Sequence, residues 1–335
     1  MEFCIFLTKA TRCLAHRAVP LVAATTTVLT IRYFIWTFEK MPSLELKRTY
    51  YSVAPPLNNI VLFIVRVVSV VLALSSSTAI AAPTTDLWSY WATHDSTSPA
   101  TVDHQSWQQL LDRHVVRNAD GINRVRYQSF TASDTSQLNA YIDHLAAITP
   151  TALSREQQLP YWINLYNALT VRVVLQHPTK DSIRDMKSRL FSLGPWNDEL
   201  LTIENQAVTL NDIEHRILRP IWQDLRLHYV LNCASLGCPN LSTTAYTANN
   251  TPRQLHDAEE IFLRHARAIH FTDAGKLKLS SLFDWYQTDF GADTAAVLRY
   301  LASQRADLAD QLINYRGSID YHYDWSLNRQ QGVRD

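Results

Sequence analysis

Apolar positions recur at helical spacing through most of this chain. Between 106 and 116, Trp107, Leu110, Leu111, His114 and Val115 fall three and four apart, which predicts a helix. A turn over 118–121 and a short strand over 125–130 follow. Residues 134–147 carry Leu138, Tyr141, Ile142, Leu145 and Ala146 on one face and read as a second helix. Ser154 and Gln157 then stand three apart as a helix cap. The pattern continues through Leu159, Trp162, Ile163, Tyr166, Leu169, Val173 and Val174 to a stop at Pro178. That helix is mostly apolar and belongs in the core. Its polar exceptions, Asn164 and Asn167, share a face, so they either brace neighbouring backbone or line a cleft.

The second half mixes short elements. A helix over 182–189, a turn at Gly194-Pro195-Trp196 and a hairpin over 200–210 with Glu204-Asn205 at its bend come first. Asn211 or Asp212 caps a helix that reaches Pro220. Leu227, Tyr229, Leu231 and Cys233 alternate and predict a buried strand ending at a Ser/Gly/Pro turn. A helix over 252–269, a hairpin about Gly275 joining 269–271 to 277–279, and helices over 281–290 and 293–304 complete the reading. The expected class is α+β, a single mostly helical domain with a small antiparallel sheet.

Composition divides the chain. Its 335 residues carry 31 Lys plus Arg against 31 Asp plus Glu, with no long run of either sign. A nucleic-acid surface would need clustered bases, so no nucleic-acid partner is expected. Residues 1–81 read as a leader. Within it, 57–81 form a secretory signal pattern, with Lys47 and Arg48 upstream, an apolar core over 67–74, and Ala79 and Ala81 flanking Ile80. Cleavage is expected after Ala81. Arg66 shortens the apolar run well below the roughly 18 residues of a spanning helix. An uncleaved membrane anchor is the alternative. Met41 offers a second start, which would make the first forty residues an over-extension. The protein is therefore expected in the periplasm or outside the cell, touching membrane through its leader alone. Residues 82–105 read as a linker and 106–330 as the domain.

Of four cysteines, Cys4 and Cys13 fall in the leader, leaving Cys233 and Cys238. A cysteine nucleophile needs a neighbouring group that lowers its pKa, and N–H donors for the developing oxyanion. The turn over 234–237 offers such donors, and His215 or His228 offers a base. His228 would face away from Cys233 on a regular strand, which favours His215. Glu214 points about 100° from His215 on an α-helix, so Asp212, three positions back, is the better-placed carboxylate. Three fates stay open for the sulfurs: a Cys233–Cys238 disulfide, a free nucleophile, or metal ligation with His228 and His215. No cofactor is called for.

Four phrases, YWINLYNALTVRVVLQHP (161–178), TLNDIEHRILRP (209–220), LHYVLNCASLGCPNL (227–241) and FDWYQTDFG (283–291), resemble the family catalogued as domain of unknown function 547. Its exported bacterial members also resemble this chain in their leader and in the ending YDWSLN (323–328). The resemblance implies that Asn164, Asn167, Glu214, Arg219, Asn232, Cys233, Cys238 and Pro239 occupy motif positions, and it extends to a distant, permuted papain-like kinship. The expected function is a thiol hydrolase or acyltransferase acting on a peptide or small-molecule amide or ester. Cys233 would attack, His215 would act as base with Glu214 nearby, and Asn232 would polarise the site. Asn164, Asn167, Arg219 and His228 would bind substrate. The rival expectation is a non-catalytic envelope binding module stapled by the disulfide.

Overall fold

The computed structural model describes residues 85–187 and 194–331. The leader and its signal segment lie outside the described residues, as does the end of the helix expected over 182–189, which begins as a 3-10 turn at Ile183–Asp185. The observed class is α+β: helices dominate, and the strands form two hairpins and one three-stranded sheet. Among the described residues no helix is long and apolar enough to cross a membrane.

Helix α1 (Gln105–His114) leads into hairpin β1 (Val115–Arg117) and β2 (Asn123–Val125), shorter than the strand expected over 125–130 because Tyr127–Ser129 turns into a 3-10 helix. Helix α2 (Ala132–Ala147) opens with a reciprocal cap, Thr131 Oγ1 accepting from Asp134 N while the Asp134 carboxylate accepts from Thr131 N. Helix α3 (Arg155–Gln176) is the centre of the larger core. Every residue from Pro160 to Val171 on it is buried, as expected of a helix apolar on all faces. The Ser154 cap expected from the sequence is not made by its side chain. Gln157 Oε1 instead accepts from Val102 N, 3.3 Å away.

The predicted hairpin about Glu204-Asn205 is present as β3 (Leu201–Ile203) and β4 (Gln206–Val208), with both bend residues at positive φ, as a tight two-residue turn requires. The next helix starts from Thr209, which exchanges hydrogen bonds with Asp212, so the cap lies two or three residues earlier than expected. It winds as a π-helix over Asp212–Leu218 before α4 (Arg219–Trp222). Pro220 accounts for the local geometry: it has no N–H for the carbonyls of the preceding turn. Those of His215 and Arg216 accept instead from Asp86 N and Trp88 N at 3.2 and 3.0 Å. The segment expected as a linker is thereby docked, and Trp91 within it is buried edge-on against Trp162.

A 3-10 helix (Leu225–Tyr229) stands where the strand leading to Cys233 was expected. The alternation fails because His228 and Val230 are buried along with Leu227, Tyr229 and Leu231, leaving no solvent face for a strand to show. Helix α5 (Thr251–Arg264) ends earlier than expected, since Ile269 enters strand β5 (Ile269–Phe271). That strand pairs antiparallel with β6 (Leu277–Ser280), which pairs in parallel with β7 (Asp320–His322). The helix expected over 281–290 breaks at Tyr286 into α6 (Leu282–Trp285) and α7 (Gln287–Phe290). Helices α8 (Thr294–Gln304) and α9 (Ala309–Ile313) close a second, smaller core around Phe262, Phe283 and Leu301.

Candidate functional site

Residues 230–239 form an irregular loop joined to the C-terminal segment by an isolated antiparallel bridge between Ser235 and Leu327, and at its start one side chain supplies what a strand would. Asn167, projecting from α3, donates from Nδ2 to Val230 O at 3.0 Å and accepts from Asn232 N at 2.8 Å. Asn164, nearly one turn earlier, does the same for Tyr246, donating to its O and accepting from its N at 2.8 and 3.0 Å. Each amide reproduces the donor and acceptor of a peptide group, so the pair braces backbone. Asn232 also acts inside the loop, donating from Nδ2 to Pro239 O at 2.7 Å and accepting from Ala234 N at 2.9 Å. Its amide holds the turn, and both of its ends are engaged there.

The C-terminal segment closes over this loop. Gly237 N donates to Asp324 O and Leu236 N to Ser326 O, each at 2.8 Å, and Asn328 N donates to Ala234 O at 3.0 Å. Arg267 holds the other side by donating to Leu236 O at 2.9 Å. The strap brings Tyr323 to the sulfur: its hydroxyl lies 3.1 Å from Cys233 Sγ and accepts from Ser235 Oγ at 3.0 Å. Ser235 Oγ is itself 3.1 Å from the sulfur.

Cys233 is half-buried, Cys238 is buried, and both are free thiols. Cys233 N donates to Cys238 Sγ at 3.0 Å, so the second sulfur is folded back against the first residue. The Cys238 thiol lowers the Cys233 pKa most. Burial opposes it, and the Ser235 and Tyr323 hydroxyls with the Ser235 N–H bring the group down to about 7. Burial and the neighbouring Cys233 push Cys238 the other way, well above an ordinary thiol. Of the backbone donors expected from the turn, those of Ala234, Leu236 and Gly237 are spent on Asn232 and the C-terminal strap. Only Ser235 N–H serves the sulfur.

His215 and His228 are both buried, in a separate cluster packed around Tyr286, and neither is hydrogen-bonded to Cys233 among the described residues. Arg219 NH1 stands 2.9 Å from His215 Nδ1. A guanidinium can only donate, so Nδ1 is the acceptor and the ring proton sits on Nε2. Burial, the largest influence, holds the His215 pKa below its ordinary value. Arg219 also grips Asp289 with two bonds, Nε to Oδ2 at 2.7 Å and NH2 to Oδ1 at 3.0 Å, and His228 Nε2 meets Asp289 Oδ2 at 2.8 Å. Glu214 accepts from Tyr166 OH at 3.0 Å and Tyr286 OH at 2.8 Å. Burial works to raise its carboxyl, but the two hydroxyls and the attraction of His215 and His228 in their protonated forms outweigh it and leave the pKa below the usual value.

This corrects the expected choice of carboxylate. Glu214 Oε1 reaches within 4.0 Å of His215 Nδ1 because the π-winding narrows the angle between successive side chains, and Asp212 is occupied with Thr209 and Arg216. Tyr286 and Tyr166 link the two halves of the site electrostatically, since charge on Cys233 raises the pKa of each beyond the effect of burial and Glu214. Sequence reasoning missed Tyr323, Ser235, Tyr166, Tyr286 and Asp289. The phrases FDWYQTDFG and YDWSLN contain three of them and were the available signal. Among the described residues no cluster of three or more His, Cys, Asp or Glu side chains is arranged to hold a metal ion, so His215, His228 and the two cysteines do not form the ligand set weighed above.

An open depression of about 620 Å³ is lined by Tyr323, the partner of the sulfur, with Trp325, His322, Asp181, Asp185 and Asp324. Tyr323 and Trp325 pack at 4.6 Å, and Trp285 adds a third ring 4.8 Å from Tyr323.

Residues 150–263 match the model of a family described as Protein of unknown function, DUF547. The matched segment holds α3, the π-helix and the cysteine loop, whereas Tyr286, Asp289 and Tyr323 lie beyond it. No curated protein and no solved structure matches the chain.

Proposed function

We propose that the protein is a thiol-dependent hydrolase or acyltransferase in which Cys233 attacks the carbonyl of an amide or ester. The observation that carries this reading is the setting of Cys233 Sγ: half-buried, with two hydroxyls at 3.1 Å, one of them from Tyr323, which lines an open depression, and with a pKa near neutrality. A thiol so placed is substantially ionised at neutral pH and needs little help from a base. The thiolate forms a thioester with the acyl carbon, the amine or alcohol leaves with a proton from solvent, and water or a second nucleophile then takes the acyl group. As charge passes from sulfur to the carbonyl oxygen, the Ser235 and Tyr323 hydroxyls are within reach to follow it.

In this reading Asn164, Asn167 and Asn232 act on the loop, and the cluster of Glu214, His215, Arg219, His228 and Asp289 sets the field behind it. His215 is the candidate base in this reading, acting after its Nδ1 is released from Arg219. The exported location belongs to the proposal and rests on the leader pattern.

The test is labelling with acyl-phosphonate and chloroacetamide probes at pH 7, followed by peptide mapping, alongside turnover of a panel of amide and ester substrates. Modification at Cys233, with turnover lost in Cys233→Ala, is expected. Turnover that survives Cys233→Ala would overturn the proposal. The second reading, a non-catalytic envelope module stapled by Cys233–Cys238, is favoured by the 3.0 Å approach of Cys238 Sγ to Cys233 N. It predicts an intact mass unchanged by alkylation under non-reducing conditions.

A further inference from the structure

A second cavity, of about 310 Å³, shares no lining residue with the depression beside Tyr323. Its apolar walls come from Tyr127, Phe130, Leu138, Val174 and Leu175, and Arg172 and Arg329 also line it. The two arginines are partnered differently. The Nε of each is buried and without a hydrogen-bond partner. Arg329 spends NH1 on Asp181 at 3.1 Å and NH2 on Lys180 O at 2.9 Å. Arg172 spends NH2 on Leu200 O at 2.7 Å and makes no ion pair among the described residues; Asp143 is the carboxylate whose charge acts on it. Arg172 thus lines the cavity with a half-buried guanidinium that no carboxylate contacts among the described residues, which is costly unless an anion completes it.

We propose that this cavity binds a small amphipathic carboxylate, its anionic head on Arg172 and Arg329 and its hydrocarbon tail against Phe130, Leu138 and Leu175. The size suits a medium-chain fatty acid, since pockets that enclose small ligands begin at roughly 300 Å³ and combine apolar walls with a few convergent polar groups. Guanidinium is the side chain best matched to a carboxylate, because its planar fork donates two parallel bonds. Asn139, exposed midway along α2, also lines the cavity.

Isothermal titration of the full chain with octanoate, octanol and octylammonium tests this. Octanoate is expected to bind at one site, with octanol and octylammonium at least about tenfold weaker, as loss of a charge-assisted pair implies. Arg172→Gln is expected to abolish octanoate binding. Asn139→Trp, which fills the cavity from an exposed lining position, is expected to do the same with an unchanged melting temperature, which separates occlusion from unfolding. The proposal is overturned if octanoate fails to bind, if octanol binds equally well, or if binding survives in both variants. Activity at Cys233 does not enter any of these readouts.

Discussion

Gly237 and Asp324 are in backbone contact: Gly237 N donates to Asp324 O at 2.8 Å, and a Cβ on Gly237 would stand 2.7 Å from Asp324 N. No side chain fits between the cysteine loop and the C-terminal strap. Gly237→Ala is therefore expected to displace the strap and with it Tyr323. The melting temperature should fall, and the Cys233 pKa should rise as a hydroxyl donor is lost. Thermal denaturation together with alkylation rates against pH reads both effects, and a wild-type profile in the variant would show that the strap does not depend on this contact.

The rate of iodoacetamide alkylation at Cys233 should reach half its maximum near pH 7, below the roughly 8.5 of a free thiol. Tyr323→Phe removes one donor to the thiolate and should move the midpoint upward. Cys238→Ala removes the largest lowering influence and should move it further. Stopped-flow or mass-spectrometric rates from pH 5 to 10 measure all three.

Asn167→Ala strands Val230 O and Asn232 N in the interior, where each unsatisfied group costs about 1–3 kcal/mol. In a domain of this size each kcal/mol is worth about 2–4 °C, so a fall of several degrees is expected. Chemical denaturation checks the magnitude. Asn167→Leu, close in volume, should not rescue, because the loss is of hydrogen bonds rather than of packing.

Burial would raise the Asp289 carboxyl, yet His228 and Arg219 hold it far below the ordinary range. A carboxyl depressed on folding contributes stability above its unfolded pKa, near 3.9, and loses it as pH falls toward the folded value. Asp289→Asn should thus be less stable than the wild type at pH 7, with the gap closing below about pH 4. Melting temperatures of both proteins from pH 7 to 3 provide the comparison, and a gap that widens in acid would contradict the sign.

The long helices and tight hairpins were legible because local spacing determines them. Helix α3 announces itself by its apolar run, and Glu204-Asn205 by the turn that positive φ requires. The loop at Cys233 was not legible, because its backbone is completed by Asn167, 65 residues away from Asn232. Periodicity also misleads where both faces are buried, as at His228 and Val230. The approach of Glu214 to His215 depends on π-winding beside Pro220, which the assumption of α-helical angles conceals. The cysteine itself was found from its rarity. Its hydroxyl partner Tyr323, 90 residues further on, carried no local signal beyond the family-like ending.

That separation has a consequence for the order in which the site comes into being. When Cys233 leaves the ribosome Tyr323 has not yet been made, whereas Ser235 and Cys238 follow within five residues. The last of its hydroxyl partners arrives only when the final stretch of polypeptide docks, so a prematurely terminated chain is expected to carry a less ionised sulfur.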